Sequence, residues 1–288
     1  MNRAHFTIRS PHFTLELGKR SLLMGTINVT PDSFSDGGHF FDTDQAIKQG
    51  EVLASSGADL LDIGGESTRP FSDPVPLEEE LRRVIPVISE LAKRTSIPIS
   101  IDTCKSQVAR AALDAGATMI NDISGLRFDP EMLQLAAAAE VPIVLMHMLE
   151  TPRTMQVEPH YVSLLSEIIA FLEERIQFAC AGGISRGRII IDPGIGFGKT
   201  VDHNLSIIKH LDAFTTLGQP ILLGPSRKSF IGAVLDKQVN EREPGTWAAV
   251  CTAILKGAHI VRVHEVATCR QIVDMTDAIL SAELATES

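Results

Sequence analysis

Acidic, amide and basic side chains recur at the ends of short apolar runs in this sequence. Asp102, Asn121 and Asp192 supply hydrogen-bond acceptors and an amide group. A second set supplies donors and positive charge, and it comprises Asn28, Arg227, Lys228, Arg262 and His264. A carboxylate accepts two parallel N–H bonds from a flat aminopyrimidinone edge, whereas arginine, histidine and amide groups commonly surround a phosphate. These residue types indicate a small ligand with a donor-rich heterocycle and an anionic group.

The glycine-rich run at residues 192–200 (DPGIGFGKT) matches a phosphate-binding P-loop only in part. Pro193 occupies the position of the first P-loop glycine, and proline has no N–H to offer a phosphate. The dinucleotide pattern G-x-G-x-x-G fails because Lys199 stands where the third glycine belongs. We therefore expect these glycines to let the loop lie close to a ligand held by Asp192.

Eight short apolar runs, bounded by glycine, proline and polar residues, alternate with segments of helical spacing. This order predicts a parallel sheet closed into a (β/α)₈ barrel, with a doubly wound open sheet as the structural alternative. Residues 1–18 alternate apolar and polar residues around Ser10 and Pro11, which predicts an N-terminal β-hairpin. We predict a single domain over residues 1–288. The eight runs are 21–28, 58–65, 97–103, 118–124, 142–148, 188–194, 220–226 and 259–265.

Polar residues stand at the C-terminal ends of all eight runs. In barrels of this kind that end of the strands carries the chemistry. A single carboxylate at a strand end can simply cap the next helix, but capping does not account for all eight positions. We therefore expect one ring of ligand-binding residues. In chain order they are Asn28, Asp62, Asp102, Asn121 with Asp122, His147, Asp192, the Ser226-Arg227-Lys228 group, and Arg262 with His264.

The composition excludes several other classes of protein. A formal net charge of −10 disfavours a surface that follows nucleic-acid phosphates, although it permits a basic pocket for a small anion. The four cysteines form no C-x-x-C pair, so we expect reduced thiols and no zinc site. The N-terminus lacks the apolar core of a signal peptide, and no apolar run reaches membrane-spanning length. These features predict a cytoplasmic protein.

Seven motifs, in order along the chain and at the predicted strand ends, resemble those of bacterial dihydropteroate synthases. They are GTINVTPDSFSDGG (25–38), DIGGESTRP (62–70), SIDT (100–103), NDISG (121–125), DPGIGFGK (192–199), GPSRKSFIG (224–232) and VRVH (261–264). The resemblance covers nearly the whole chain. It implies a transferase of folate biosynthesis that joins p-aminobenzoate to 6-hydroxymethyl-7,8-dihydropterin pyrophosphate, giving 7,8-dihydropteroate and pyrophosphate.

The resemblance also implies roles for individual residues. Catalytic roles fall to Asp102, Lys228, Arg262 and His264. The pterin is held by Asp102, Asn121, Asp192 and Lys228, with Met146 and Arg262 packing about its faces. Asn28, Arg262 and His264 receive the pyrophosphate, and Mg²⁺ is bridged through Asn28. The p-aminobenzoate site comprises Phe34, Thr68, Arg69, Pro70, Phe71, Phe197 and Ser229.

This chemistry suits the residue types. An arylamine has a free lone pair at pH 7, so attack needs no dedicated general base. The hard step is departure of pyrophosphate. Mg²⁺ and the basic cluster stabilise the negative charge that develops on the leaving oxygens. A carboxylate such as Asp102 near the pterin stabilises a delocalised cation, which predicts an SN1-like route. The segments 28–38 and 64–74 have the glycines and prolines of lids that exclude water.

Three positions depart from the family pattern. Phe71 follows STRP where glycine is usual, and we expect a narrower p-aminobenzoate pocket with altered sulfonamide sensitivity. Glu265 replaces aspartate and Ile195 replaces phenylalanine, and both changes are conservative. His147, between two methionines, is open to either a ligand contact or a packing role.

Other functions remain in competition. A methyltetrahydrofolate-dependent methyltransferase shares the barrel and the pterin floor, but it needs no pyrophosphate clamp. A non-catalytic pterin-binding paralogue would be expected to lose loop residues, and these loops are whole apart from Phe71. A phosphosugar aldolase needs a Schiff-base lysine inside a strand, and no predicted strand has one. Small and apolar residues in segments 246–258 and 268–284 predict a homodimer.

Overall fold

The computed structural model describes residues 3–30, 39–69 and 72–282. Its strands are β1 (Phe6–Arg9), β2 (Thr14–Leu17), β3 (Leu22–Asn28), β4 (Leu60–Gly64), β5 (Ile99–Asp102), β6 (Met119–Asp122), β7 (Ile143–Met146), β8 (Ile189–Asp192), β9 (Leu222–Leu223) and β10 (Ile260–Val263). Its α-helices are α1 (His39–Ser55), α2 (Leu77–Arg94), α3 (Ser106–Asp114), α4 (Glu131–Ala139), α5 (Leu164–Ala181), α6 (Val201–Lys209), α7 (Ser229–Leu235), α8 (Glu243–Leu255) and α9 (Ala267–Ser281).

Strands β3 to β10 form one parallel sheet that curls into a barrel. The order is β8-β7-β6-β5-β4-β3-β10-β9, and a parallel bridge between Ile191 and Ile221 joins the two outer strands. The Ile191 N–H donates to the carbonyl of Pro220 at 3.0 Å across this seam. The predicted (β/α)₈ barrel is thereby confirmed, and the open-sheet alternative is wrong.

The predicted N-terminal hairpin is also confirmed, and it covers the N-terminal end of the barrel. Strands β1 and β2 pair antiparallel, with Ile8 opposite Leu15. Ile8, Leu15 and Leu17 are buried against inward side chains of the barrel strands. Those barrel side chains are Leu22, Met24, Leu60, Met119, Val144, Ile190, Leu222 and Ile260.

This apolar layer determines where the polar side chains point. Alternate residues of a strand face the same side of a sheet. The residue two positions after each apolar residue of this layer therefore also faces the barrel interior. It forms the next layer, closer to the C-terminal ends of the strands. Those positions are Thr26, Asp62, Asn121, Met146, Asp192 and Arg262. The intervening residues, such as Ile63, Ile101 and Ile191, are buried on the outer side in the layer shared with the helices.

Among the described residues, no helix is both long and apolar enough to cross a membrane.

Candidate functional site

An arginine and two carboxylates form the centre of the site. Arg262 on β10 donates from Nε to Asp62 at 2.6 Å and from a terminal nitrogen to Asp102 at 2.8 Å. Asp62 is fully buried and Asp102 is 8% exposed. One oxygen of each carboxylate has no hydrogen-bond partner among the described residues. Buried polar atoms are nearly always paired in folded proteins. The free oxygen of Asp102, the less buried of the two carboxylates, is therefore suited to accept from a ligand.

The pKa values of Asp102 and Arg262 are shifted by burial and by their mutual charges. Burial raises the pKa of Asp102 to about 7, with a further increase from the charge of Asp62 and an opposing effect of Arg262. The pKa of Arg262 itself is raised by the two carboxylates although burial lowers it. A carboxyl that titrates near neutral pH and lines a cleft is a candidate for function.

Asn121 completes the floor from β6. Its side-chain nitrogen donates to Asp62 at 3.1 Å, and the residue is buried beside the end of β5, where it is in register with Asp102. Asp62 therefore holds both Asn121 and Arg262. The sequence placed Asp62 in the ring of ligand-binding residues but could not predict these contacts, because its two partners lie on strands far away in the chain.

Asp192 ends β8 and enters the glycine-rich loop. Its carboxylate accepts from the Gly194 N–H at 2.7 Å, and burial raises its pKa to about 6. Gly194 has a φ of 73°, and a Cβ at this position would lie 1.9 Å from the carbonyl oxygen of His147. Only glycine fits so close an approach. The loop is thus drawn back onto β7, and Asp192 stays at the floor of the barrel.

Lys228 lies over this loop from the other side. Its ammonium is 4.1 Å from the centre of the Phe197 ring. Burial lowers the pKa of Lys228 to about 8, and the positive charge of Arg262 lowers it further. The next residue, Ser229, begins α7 and is exposed. Lys228 thus lies beside both the aromatic ring of Phe197 and the carboxylates of the floor. The charges of Asp192 and Asp102 partly offset the lowering of its pKa.

His264 and its neighbours form a positively charged region. The His264 Nδ1 is 2.9 Å from the hydroxyl of Ser226. Burial lowers the pKa of His264 to about 3, and the charges of Arg262, Arg227, Lys228 and Arg69 add to this effect. The imidazole is therefore neutral at pH 7, and the cations that surround it favour an anionic ligand.

Asn28 is the last residue of β3 and is half-buried. Its strand pairs with β10, which carries Arg262. No group of three or more histidine, cysteine, aspartate or glutamate side chains that could hold a metal ion occurs among the described residues. An amide oxygen is a hard ligand, and Mg²⁺ commonly takes only one or two protein ligands beside phosphate and water. Asn28 therefore fits a magnesium ion that a diphosphate brings with it.

An apolar cluster borders the polar floor. Met146, at the end of β7, packs in one buried group with Ile123, Met148, Met155 and Phe197. Methionine side chains adapt to flat ligands because they are flexible and polarizable. The cluster can thus provide one apolar wall for an aromatic ring system.

A cavity of about 470 Å³ opens beside Asp102. Its lining includes Thr68, Cys104, Ile123 and Phe128. It thereby brings Thr68, predicted for p-aminobenzoate, to the same space as Asp102, predicted for the pterin. Phe197 and Ser229 are not among the described residues that line it.

A partly buried ion network supports the segment between β4 and α2. Thr103 donates to Glu80 at 2.7 Å, and the ammonium of Lys105 bonds both Glu80 and Glu66. Glu80 is almost fully buried in the first turn of α2. The network ties the start of the segment that carries Thr68 and Arg69 to the end of β5. The sequence analysis did not predict it.

Several predicted residues lie apart from the centre or outside the described residues. Arg69 is exposed, and its influence on His264 is electrostatic. Phe34, Pro70 and Phe71 lie outside the described residues. The departure Glu265 accepts from the Thr268 N–H at 3.0 Å at the start of α9, and Ile195 is buried in the main core.

His147 has a protein partner rather than an open ring. Its Nδ1 is 3.0 Å from the ammonium of Lys199, which also donates to the Phe197 carbonyl at 2.9 Å. The ring also packs edge-on against Phe171. Burial lowers the pKa of Lys199 to about 7 and that of His147 to about 2. These contacts support the packing role that the sequence left open for His147.

Comparisons with known proteins agree with this geometry. The family model for pterin binding enzymes matches residues 24–264. The dihydropteroate synthase of Synechocystis sp. is 49% identical over 263 residues, which are 91% of each chain.

Two solved structures are similarly close. A Xanthomonas albilineans dihydropteroate synthase with 4-aminobenzoic acid superposes with a TM-score of 0.91 at 44% identity, covering 97% of this chain and all of that one. A Yersinia pestis dihydropteroate synthase in complex with a sulfonamide drug gives a TM-score of 0.91 at 40% identity, covering 96% and 100% of the two chains.

Proposed function

Since this chain belongs to the pterin-binding enzyme family, among its dihydropteroate synthases, we propose how its own residues carry out that reaction. The reaction joins p-aminobenzoate to 6-hydroxymethyl-7,8-dihydropterin pyrophosphate in folate biosynthesis. A carbon–oxygen bond to pyrophosphate breaks, a carbon–nitrogen bond forms, and the arylammonium then loses a proton. The observation that carries the assignment is a floor of buried acceptors directly beside a cluster of cations.

The pterin lies on the floor formed by Asp102, Asn121 and Asp192. The unpartnered oxygen of Asp102 and the buried carboxylate of Asp192 are suited to a ring edge rich in N–H donors. Met146 packs against one face of the pterin ring, and the guanidinium of Arg262 packs against the other face. Lys228 adds a donor to the ring carbonyl. Together these contacts fix the methylene group that reacts.

The leaving pyrophosphate binds among Asn28, Arg262 and His264. Arg262 carries the charge, and neutral His264 donates a hydrogen bond from its ring. When bound, Mg²⁺ neutralises charge that develops on the leaving oxygens, and the Asn28 amide oxygen would hold it. Catalytic roles therefore fall to Arg262, His264, Lys228 and Asp102.

The route is SN1-like. Departure of pyrophosphate leaves positive charge on the pterin methylene, and this charge delocalises into the ring above Asp102. A nearby carboxylate stabilises such a cation more strongly in a buried site than in water. The arylamine then attacks with its free lone pair, so no general base is required.

p-Aminobenzoate binds over the pterin, near Phe197, Ser229 and the segment that carries Thr68 and Arg69. Phe34, Pro70 and Phe71 are assigned to this site by the sequence alone. The cation–π contact of Lys228 with Phe197 supports a shared border between the two substrate sites. Arg69 attracts the carboxylate of the substrate. Sulfonamides, which one structural relative binds, occupy the same place.

The same features weigh against the alternatives. A methyltransferase needs no cations for pyrophosphate, whereas His264 here has four cationic side chains acting on it. A paralogue without activity shares the floor, so only turnover distinguishes it from an enzyme.

The enzyme acts as a homodimer. Met275 and Ile279 are 62% and 59% exposed and lie one turn apart on α9. Large apolar side chains at neighbouring surface positions favour a protein contact. Helices α7 and α8 add exposed Leu235 and Leu255.

The test is release of pyrophosphate from dihydropterin pyrophosphate with Mg²⁺, in the presence and absence of p-aminobenzoate. We expect pyrophosphate release when p-aminobenzoate or a sulfonamide, which is also an arylamine, is present. We expect none when both are omitted. Pterin binding without release would indicate the non-catalytic paralogue.

A further inference from the structure

Asp62 is the most deeply buried charged side chain of the site, and the proposed reaction gives it no task. One of its oxygens accepts from Arg262 at 2.6 Å and from Asn121 at 3.1 Å. Its partners come from β10 and β6, two strands apart from β4 in opposite directions. Asp62 therefore links residues predicted for the pyrophosphate with residues predicted for the pterin.

A carboxylate in this position fixes the direction of the Asn121 amide. An ionised carboxylate only accepts hydrogen bonds, so it must face the amide NH₂ group. The carbonyl oxygen of Asn121 is then directed away from Asp62. That side of the residue is where the proposed pterin lies, and a pterin edge presents N–H donors. The orientation follows from chemistry here, although amide nitrogen and oxygen atoms resemble each other in shape.

Asp62 also fixes the plane of the Arg262 guanidinium. Nε bonds Asp62 and a terminal nitrogen bonds Asp102, so two carboxylates hold two edges of one rigid group. A guanidinium carries five N–H donors, which leaves three for a ligand. Because the plane is held in advance, those donors need no reorganisation when pyrophosphate binds.

The neighbouring strands leave Asp62 available for this task. Thr26 and Ser100 flank it in the register of β3, β4 and β5. Both have small side chains with a buried hydroxyl that has no partner among the described residues. Neither competes with Asp62 for Arg262 or Asn121.

We propose that Asp62 is a positioning residue that sets the donor and acceptor directions of the pterin floor. It holds the Asn121 carbonyl toward the pterin and the Arg262 donors toward the leaving group. The proposal rests on the proposed function, since it concerns the binding of that substrate. Asp62 touches neither substrate and acts through its two partners.

The first test compares Asp62→Asn with Asp59→Asn. Asparagine has nearly the same shape, but it lets the Asn121 amide turn and weakens the hold on Arg262. We expect the KM for dihydropterin pyrophosphate to rise about 10- to 100-fold, with the KM for p-aminobenzoate within about twofold of wild type. Asp59 lies just before β4, at the opposite end of the barrel, where it accepts from Leu23 and Arg270. Its variant controls for loss of stability, and we expect it to keep both KM values.

The pH profile separates positioning from general damage. Asp102 is faced by Asp62, Arg262, Glu80 and Lys228 as well as being buried. Because the charge of Asp62 raises the pKa of Asp102, its loss moves the acid limb of kcat/KM to lower pH. A variant that is only less stable loses activity without moving this limb.

A charge-preserving swap guards against a variant that fails to fold. In Asp62→Asn with Asn121→Asp, the new amide donates to the new carboxylate, whose second oxygen again offers an acceptor to the pterin. We expect this double variant to bind dihydropterin pyrophosphate more tightly than Asp62→Asn or, if that variant is unfolded, to fold and bind with measurable affinity. Calorimetry without p-aminobenzoate measures this.

Two results have separate meanings. If wild type binds the pterin and Asp62→Asn matches it in affinity and acid limb, the positioning role is wrong and the enzyme assignment stands. If wild type neither binds dihydropterin pyrophosphate nor releases pyrophosphate, the proposed function itself fails, and the positioning role fails with it.

Discussion

Asp102 and Asp192 are the carboxylates whose removal is most informative. Both are buried, and each offers acceptors that no other described side chain in the floor replaces. We expect Asp102→Ala and Asp192→Ala to lower turnover by at least about 100-fold, the scale of losing one preorganised electrostatic group. Pyrophosphate release measures the loss, and circular dichroism should show an unchanged fold. Activity like that of wild type in either variant would contradict the assignment.

The pH dependence follows from two groups with shifted pKa values. Asp102, with a pKa of about 7, must be ionised to stabilise the pterin cation, so kcat/KM falls as pH drops through this value. Lys228, with a pKa of about 8, must be protonated, so kcat/KM falls as pH rises through it. We therefore expect a narrow bell-shaped profile.

Substitution of Lys228 identifies the alkaline limb. Arginine does not titrate in this range, so Lys228→Arg should shift that limb upward even if the maximum falls. An alkaline limb that stays at its wild-type position would assign it to another group.

The departure from the family pattern at Phe71 gives a prediction about drug binding. We propose that Phe71, in place of the usual glycine, narrows the p-aminobenzoate pocket, and sulfonamides are larger than that substrate. We expect Phe71→Gly to lower the ratio of the sulfonamide inhibition constant to the KM of p-aminobenzoate. An unchanged ratio in steady-state inhibition assays would show that Phe71 does not discriminate between substrate and drug.

At the scale of elements, the loop after β8 depends on side chains outside it and on its own Lys199. Tyr161 donates to the Gly198 carbonyl at 2.9 Å, and the Gly196 N–H donates to Asn204 at 2.7 Å. Lys199 holds the Phe197 carbonyl and His147 from within the core. A loop rich in glycine has many alternative conformations, so these bonds select the one that places Phe197 under Lys228.

Loss of the Lys199 ammonium should therefore affect one substrate more than the other. We expect Lys199→Met to raise the KM for p-aminobenzoate several-fold, because the Phe197 carbonyl loses a buried partner and its ring shifts. The KM for dihydropterin pyrophosphate should change less. Lys209→Met, on the exposed face of α6, is the matched control. Equal changes in both KM values would indicate general loosening of the site.

The sequence predicted the strands better than the helices. Strands were identified because apolar runs end in polar residues that face the barrel interior, as in β5 and β8. Some helices have weak local patterns: α4 is almost entirely alanine and apolar residues, and α6 follows directly on the glycine-rich loop. Local patterns carry no information on partners from distant strands. For this reason the sequence located Asp62 and Lys199 but not their contacts.

At the scale of the whole molecule, the two ends of the barrel are separated in composition. The hairpin and the lower apolar layer close one end. The other end holds carboxylates, cations and an amide at the next inner level of the same strands. On these strands, a side chain that stabilises the barrel is therefore followed two residues later by one that faces the substrate site. This arrangement explains why Asp59 and Asp62, three residues apart, serve opposite ends.

The remaining prediction concerns assembly. The chain has a mass of 31.2 kDa, and we expect sedimentation to give about twice this value. Charges placed on α9 should disrupt a contact built on Met275 and Ile279, since burying unpaired carboxylates is costly. Met275→Glu with Ile279→Glu is therefore expected to sediment as a monomer. Val52→Glu, at a position 60% exposed on α1, should remain a dimer. A wild-type monomer would contradict the dimer, and a dimeric α9 double variant would place the interface on another face.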